Sequence, residues 1–164
     1  TILFKLLYMF KNKFASILVL ILITNCGFKV VDYSKLNDFR ITEVLTSGES
    51  KINYKLKNKI KVVSNDNSEK LITLKFFSES KNTIKEKNDK NEITKYKLEI
   101  ITKVNYEYLN YNKKGSFSLS VSNDYSVAEK YSQTLKNQEN LLEKLISEMS
   151  SNINRKLSQN LNDL

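Results

Sequence analysis

Few side chains in this sequence could do covalent or acid-base chemistry. The chain has no His, a single Cys, Cys26, and three Gly, which are Gly27, Gly48 and Gly115. Without an imidazole, neither a Ser-His-acid triad nor a Cys-His pair can be assembled, and zinc lacks its usual ligands. Three dispersed glycines form no loop that would cradle a phosphate. We therefore expect no enzyme, no catalytic residue, no metal site and no cofactor.

Cys26 follows a segment with the features of an export signal. Lys11 and Lys13 form a short basic region, and residues 14–23 form an apolar stretch too short to span a bilayer. Residues 1–25 are therefore predicted to be a signal peptide, and starting at Met9 would give it conventional proportions. The alternative is one uncleaved signal anchor, which would place both lysines near a bilayer centre, where charges are costly.

The residues around Cys26 indicate a role for its thiol. Residues 23–27, ITNCG, resemble a lipobox, in which an aliphatic residue stands three before the cysteine, although Asn25 departs from the usual Gly, Ala or Ser. We predict that Cys26 is acylated and that residues 26–36 form a lipidated N-terminal segment. Gly27, rather than an inner-membrane-retaining Asp, favours lipid anchoring at the periplasmic side of the outer membrane. The alternative is a buried free thiol.

Two further patterns mimic functional sites. Glu92 and Glu99 could pair as acid and base, but carboxylates on polar strand faces are usually there for solvation. Tyrosines and lysines interleave over residues 96–111, as in platforms that stack nucleic-acid bases. These rings share the parity of neighbouring apolar residues, and an export leader removes the protein from nucleic acid, so no nucleic-acid partner is expected. The tyrosines predicted to lie in the core are Tyr96, Tyr106 and Tyr108.

The first half of the remaining chain contains two segments with strand-like composition and, between them, one segment with the apolar period of a helix. Residues 39–45 are rich in β-branched side chains and predict a strand, as do residues 71–77. Between them, residues 49–63 predict an amphipathic helix, because apolar residues recur at spacings of three and four. Residues 79–92 are polar and rich in Lys and Asn, and are predicted to be a mobile loop. The helix stripe consists of Ile52, Leu56, Ile60 and Val63.

The second half predicts a hairpin and a long helix. Residues 96–108 alternate strictly between apolar and polar side chains, as in a strand with one buried face. Residues 110–115 supply a turn to a fourth strand near residues 117–121. Residues 126–129, SVAE, match a capping box, so a helix is expected to begin there. Its apolar stripe runs to Leu161 and predicts a helix with a break or a protruding first part.

The element order β-α-β-β-β-α predicts an α+β domain over residues 37–164. We expect a two-layer sandwich, with a four-stranded mixed sheet and two helices packed on one of its faces. The formal net charge of +9 favours anionic partners, although lysines spread along the chain also fit ordinary surface solvation.

The order of these features resembles the LptE family, the lipopolysaccharide-assembly lipoproteins. The resemblance rests on the Cys26-Gly27-Phe28 start, the element order and the apolar spacing of the C-terminal helix; residues 29–33 depart from the family, where a Pro-Leu-Tyr run often follows. It implies a domain that plugs the LptD outer-membrane barrel, helps it to assemble and contacts lipopolysaccharide. The N-terminal lipid would anchor this domain to the membrane. The helix positions concerned are Leu145, Ile146, Met149, Ile153 and Leu157.

No lysine of this chain matches a family motif, so candidates for binding the glycolipid phosphates come from position alone. Lysine ammonium groups engage phosphates as point charges. An ordinary solvated lysine remains the alternative for each, and a pilotin-like scaffold of another envelope machine is the alternative function. The candidates are Lys113 and Lys114 in the predicted turn, and Lys81, Lys85, Lys87 and Lys90 in the predicted loop.

Overall fold

Four strands and two helices make up the part of the chain that the computed structural model describes, residues 39–61 and 64–162. They follow the predicted order. The predicted signal peptide, the acylation site Cys26 and the lipidated segment, residues 26–36, lie outside the described residues. The elements are β1 (Arg40–Gly48), α1 (Ser50–Lys61), β2 (Leu71–Lys87), β3 (Ile93–Tyr108), β4 (Lys113–Ser126) and α2 (Tyr131–Asn162).

The strands form one mixed sheet in the order β1-β2-β3-β4. β1 runs parallel to β2, and the other two pairs are antiparallel. The parallel pair needs a crossover connection, which α1 supplies. The predicted α+β class and mixed sheet are therefore confirmed.

Both helices pack on one face of the sheet, which we call the inner face. On β3 the buried residues are two apart, and Ile100, Val104 and Tyr108 are fully buried, as the alternation predicts. α1 covers the β1 and β2 half, whereas α2 covers the β3 and β4 half. The helices bury Ile52, Leu56 and Ile60 from α1, and Leu145, Ile146, Met149, Ile153 and Leu157 from α2.

The predicted mobile loop at residues 79–92 is wrong. β2 continues to Lys87 and pairs with β3 as far as Ile93, which leaves only residues 88–92 as a turn. The composition misleads because this stretch extends beyond the end of β1, so few of its side chains are buried, while backbone hydrogen bonds to β3 hold the strand. We call residues 79–101 the hairpin arm.

The predicted capping box is also wrong. Ser126 is the last residue of β4 and pairs with Lys95, and α2 begins only at Tyr131. Thr134 holds the connection instead, because its Oγ1 accepts a 2.9 Å hydrogen bond from the Ala128 N–H. From there α2 is continuous, and its first part is the exposed one. Within the described residues no helix is long and apolar enough to cross a membrane.

Candidate functional site

The face of the sheet away from the helices, the outer face, is polar and carries no covering element among the described residues. Every second residue of β4 points to it, which produces a column of exposed serines. On β3 the same face carries charged and amide side chains, with Ile101 among them. The two columns are Ser116, Ser118, Ser120 and Ser122 on β4, and Lys97, Glu99, Lys103 and Asn105 on β3.

A shallow depression of about 670 Å³ lies on the outer face near the β3–β4 turn. Lys114 borders it, and its Nζ lies 2.9 Å from Glu107 Oε1. Lys75 and Glu43 also border it, and neither forms an ion pair within the described residues. Two cations and two carboxylates leave the depression without net charge, so it has no strong preference for an anion.

Exposed apolar side chains interrupt the polar outer face near this depression. Leu45 on β1 is 51% exposed, and Phe77 on β2 is 46% exposed. Phe77 lies directly opposite Lys103, and Lys75 lies beside Leu45 in the strand register. This surface can therefore contact an apolar group and offer cations next to it.

The far end of the hairpin arm carries a second group of cations. The turn is held by Asn88, whose Oδ1 accepts hydrogen bonds from the N–H groups of Lys90 and Glu92 at 3.0 and 2.9 Å. Asn91 adopts a φ of 62°, a left-handed conformation that Asn tolerates better than most residues. Lys87 donates to Asn91 Oδ1 at 2.9 Å. The turn thus displays its lysines on a well-defined backbone.

One ion pair stands behind this turn. Lys95 Nζ lies 2.6 Å from Glu86 Oε2. The hydrogen bond from Lys95, and then its charge, lower the pKa of Glu86, and the same contacts raise the pKa of Lys95. Both groups therefore keep their charges at neutral pH, and Glu86 offsets Lys95 rather than the turn lysines.

The structure separates the candidate lysines into two groups at opposite ends of the sheet. Lys114 lies across from Glu107 and Thr73, whereas Lys87 ends β2, so that about 45 Å of strand separates them at 3.3 Å per residue. Lys113 begins β4 opposite Tyr108 on the inner-face parity and is half-buried. Lys81 lies between the groups, 3.7 Å from Glu79. One small anionic headgroup can therefore contact only one group.

Sequence reasoning missed two outer-face lysines, Lys75 and Lys103. Both are exposed and form no ion pair within residues 39–61 and 64–162. The sequence could have identified both as outer-face residues, because each occupies a polar position in a strand that is otherwise rich in apolar residues. The described residues also contain no cluster of three or more His, Cys, Asp or Glu that could hold a metal. What this surface can do chemically is bind polar or anionic groups reversibly.

Three solved structures share this architecture. Rare lipoprotein B from Shewanella oneidensis superposes with a TM-score of 0.59 at 9% identity, over 74% of this chain and 97% of that one. The chain shares its fold with this lipoprotein. Lipoprotein B from Nitrosomonas europaea gives 0.58 at 14% identity, over 83% and 93% of the two chains. A lipoprotein from Caulobacter crescentus gives 0.53 at 12% identity, over 79% and 94%.

No family model and no curated protein matches the sequence. The likeness to the three lipoproteins therefore concerns the fold, which is preserved at identities too low to compare individual residues.

Proposed function

We propose that the protein is an outer-membrane lipoprotein of the LptE type, which plugs the LptD barrel, assists its assembly and takes part in lipopolysaccharide transport to the outer leaflet. The observation that carries the proposal is the helix-free polar sheet face with its projecting arm, in a fold shared with rare lipoprotein B. Rare lipoprotein B belongs to the LptE family, which the sequence resembles.

The outer face supports the plug role by its chemistry. The interiors of outer-membrane barrels are polar, so a domain lodged in one needs a polar surface toward the wall and the water there. Serines along β4 and lysines along β3 provide such a surface. The acyl chains of Cys26 would hold the domain at the periplasmic side of the outer membrane, which keeps it near the barrel.

The turn of the hairpin arm is the better candidate for contacting lipopolysaccharide phosphates. Lys85, Lys87 and Lys90 form no ion pair within the described residues, although Glu86 lies beside Lys85. At the other end of the sheet, Glu107 offsets the charge of Lys114. A lysine without a paired carboxylate attracts an anion more strongly than a paired one. We therefore favour the turn of the hairpin arm as the site of phosphate contact.

Co-purification tests the partner. Full-length tagged protein, extracted in detergent from its own envelope, is expected to retain LptD, identified by mass spectrometry. Depletion of the protein is expected to lower lipopolysaccharide at the cell surface. If no large outer-membrane barrel is retained and surface lipopolysaccharide is unchanged, the proposal fails and the pilotin-like scaffold is favoured.

Binding of purified lipopolysaccharide tests the cation assignment. Replacing Lys85, Lys87 and Lys90 with Gln is expected to weaken binding about tenfold, since three exposed charges each contribute a fraction of a kcal/mol. Replacing Lys113 and Lys114 with Gln is the control at the other end of the sheet; it removes two charges and should change binding by less than about twofold. The difference between the two variants should shrink at high salt. Equal losses in both would contradict the assignment to the arm.

A further inference from the structure

β4 is the last strand of the sheet, and no strand of the described residues pairs with its far side. Directly after β4, the Val127 N–H donates to the Thr94 carbonyl of β3 at 2.9 Å, whereas the Ser126 carbonyl accepts from Asn137 of α2. Backbone groups of a strand point to one side at every second residue, so the even-numbered residues of β4 direct theirs away from β3. We call this side of residues 114–124 the β4 edge. Its central residues are Ser116, Ser118, Ser120 and Ser122.

The opposite edge of the sheet, along β1, is protected against an added strand. A register shift between Ile41 and Glu43 marks an irregularity of the bulge type. Side chains also occupy its backbone groups, since the Ile41 N–H donates to Ser64 Oγ at 2.9 Å and the Val44 carbonyl accepts from Lys57 at 3.1 Å. Bulges, charges and covering groups are the usual means of blocking an edge strand.

The β4 edge has none of these protections among the described residues. Residues 115–123 contain no charged residue and no Pro, and the β3–β4 register runs without a shift. On the inner face, Phe117 and Leu119 are only half-buried, so α2 leaves them partly open. The edge ends where the Asp124 N–H donates to Asn123 Oδ1 at 2.8 Å. A regular, uncharged edge of this length is a template for another strand.

The β4 edge is complementary to itself in one antiparallel register. With two copies centred on Leu119, that residue would face its own equivalent, and Phe117 would face Val121, both on the inner face. The hydrogen-bonded pairs then join even-numbered residues, as the direction of their backbone groups requires. In the same register Lys114 of each copy lies opposite Asp124 of the other. A shift of two residues in either direction would separate these two charges.

The other charges nearby agree with this register. On β3, Glu107 lies opposite Lys114, with Oε1 2.9 Å from Nζ, and Lys97 lies opposite Asp124. Pairing two copies would align these residues in a row across four strands, with the sign alternating at each step. Opposite charges directly across a strand pair stabilise it, and like charges destabilise it. Lys95, diagonal to Asp124, already forms an ion pair with a carboxylate of β2.

We infer that the β4 edge is a pairing site for a second copy of this chain, which joins two four-stranded sheets across a two-fold axis at Leu119. The central serines of the two copies supply about eight backbone hydrogen bonds. Leu119 closes the inner side of the contact, and the pairs of Lys114 with Asp124 close both ends. The inference goes beyond the proposed function and does not depend on which envelope machine the protein serves.

Sedimentation equilibrium of the full-length protein, in a density-matched detergent, tests the pairing. The parent is expected to form a concentration-dependent dimer. Ser118→Pro removes an N–H that points away from β3, so it is expected to weaken the dimer about tenfold or more. Ser118→Ala is the matched control, because it keeps that N–H, and it should leave the dimer unchanged. A monomeric parent, or a Ser118→Pro dimer as tight as the parent's, would overturn the proposal.

Charge reversal tests the register. Lys114→Glu and Asp124→Lys would each place like charges opposite one another at both ends of their own dimer, and each is expected to weaken it about tenfold. An equimolar mixture of the two variants restores opposite charges at both ends, so it should dimerise about as tightly as the parent. This recovery would also show that both variants are folded. Asp89→Lys, the same charge change in the exposed turn of the hairpin arm, should leave the parent dimer unchanged.

Two other results would count against the proposal. If the mixture dimerises no more tightly than each variant alone, the register centred on Leu119 is wrong and the inference fails with it. The second is a monomeric parent whose detergent extract contains another protein that Ser118→Pro loses and Ser118→Ala keeps. The β4 edge would then belong to that partner rather than to a second copy.

Discussion

The Glu49 carboxylate binds Ser80 twice, accepting from its N–H at 3.1 Å and from its hydroxyl at 2.7 Å. The Glu49 N–H donates to the Ser78 carbonyl at 2.8 Å, and its own carbonyl accepts from the Asn53 N–H. One residue therefore ends the β1–β2 ladder and begins α1. Its side chain accepts hydrogen bonds from the sheet, although the side chain of a residue at a helix start commonly caps the helix instead.

Replacing Glu49 tests this arrangement. Glu49→Ala leaves the Ser80 N–H without its partner, and is expected to lower the free energy of unfolding by about 1–2 kcal/mol. Glu43→Ala is the control, because that exposed carboxylate forms no ion pair within the described residues. Urea unfolding should show the control within about 0.5 kcal/mol of the parent. Equal effects of the two substitutions would show that the Ser80 contacts contribute no stability.

Alanine is expected to have different costs at two glycines, one next to Glu49 and one on β4. Gly48 has a φ of 90°, and an added Cβ would overlap the backbone carbonyl oxygen of Ser78. Gly48→Ala is therefore expected to cost about 2–3 kcal/mol in unfolding free energy. At Gly115 the Cβ would meet the end of the Tyr106 side chain, its hydroxyl and two ring carbons, rather than backbone. Gly115→Ala should cost about 1 kcal/mol, and a reversed order in thermal denaturation would contradict both explanations.

Sequence periodicity predicts the part of this fold that is buried on one side. β3 is the clearest case, because Leu98, Ile100 and Val104 alternate with polar residues and all three are buried. The α1 stripe succeeds for the same reason, since Ile52, Leu56 and Ile60 all face the core. Its fourth predicted member, Val63, lies outside the described residues. In both elements one periodic face is removed from water, and hydrophobicity therefore reports it.

The β2 half of the hairpin arm could not be predicted in this way. The two strands of the arm are held by cross-strand backbone hydrogen bonds, and pairs such as Asn82 with Leu98 leave little apolar pattern on β2. The capping box failed because Ser126 still pairs with Lys95 in the sheet, and tertiary pairing outweighs a local motif. Neither competing interaction is visible in a short window of sequence.

The candidate site also combines a feature that the sequence predicts with features that only the fold determines. Composition predicts a basic surface, but only the strand register separates Lys114 from Lys87 and places Glu107 beside Lys114. Likewise, the last part of β2 has no neighbour on the β1 side among the described residues, because β1 ends at Gly48, opposite Ser78. That relation joins residues about thirty apart in the chain, and local periodicity carries no information on it.

The contact between the two helices predicts a small dependence of stability on pH. Lys51 Nζ lies 2.6 Å from Glu139 Oε2, and this hydrogen bond lowers the pKa of Glu139 from its usual 4.5. A carboxylate with a lowered pKa stabilises the fold above its unfolded-state pKa, and that stability is lost as pH falls through the folded-state pKa. The window therefore lies below pH 4.5. Both side chains are about half exposed, so the effect should be at most about 0.5 kcal/mol.

Glu139→Gln should accordingly flatten the fall in urea midpoint below pH 4.5 relative to the parent protein. Glu129→Gln provides the control, since Glu129 is exposed and forms no ion pair within residues 39–61 and 64–162. The control should keep the parent's slope. If Glu139→Gln also keeps it, the Lys51 contact does not survive in solution. Salt should reduce the difference, because the pair is near the surface.

Acylation at Cys26 is the prediction on which the envelope location depends. The chain has one cysteine, so Cys26→Ser removes every thiol that could be acylated. Cells given labelled palmitate are expected to label the parent protein and not the variant. A single acyl chain binds membranes only marginally, whereas multiple chains give stable anchoring. Persistent label on Cys26→Ser would refute the lipid anchor.

Gly27→Asp tests the destination separately from the lipid. An aspartate after the acylated cysteine commonly retains lipoproteins in the inner membrane, so this variant should keep its palmitate label and move from the outer-membrane to the inner-membrane fraction on a sucrose gradient. Gly27→Ser is the matched control and should stay with the outer membrane. If all three proteins sediment with the inner membrane, an uncleaved anchor over residues 2–23 explains the leader better. A plug of an outer-membrane barrel would then be in the wrong membrane.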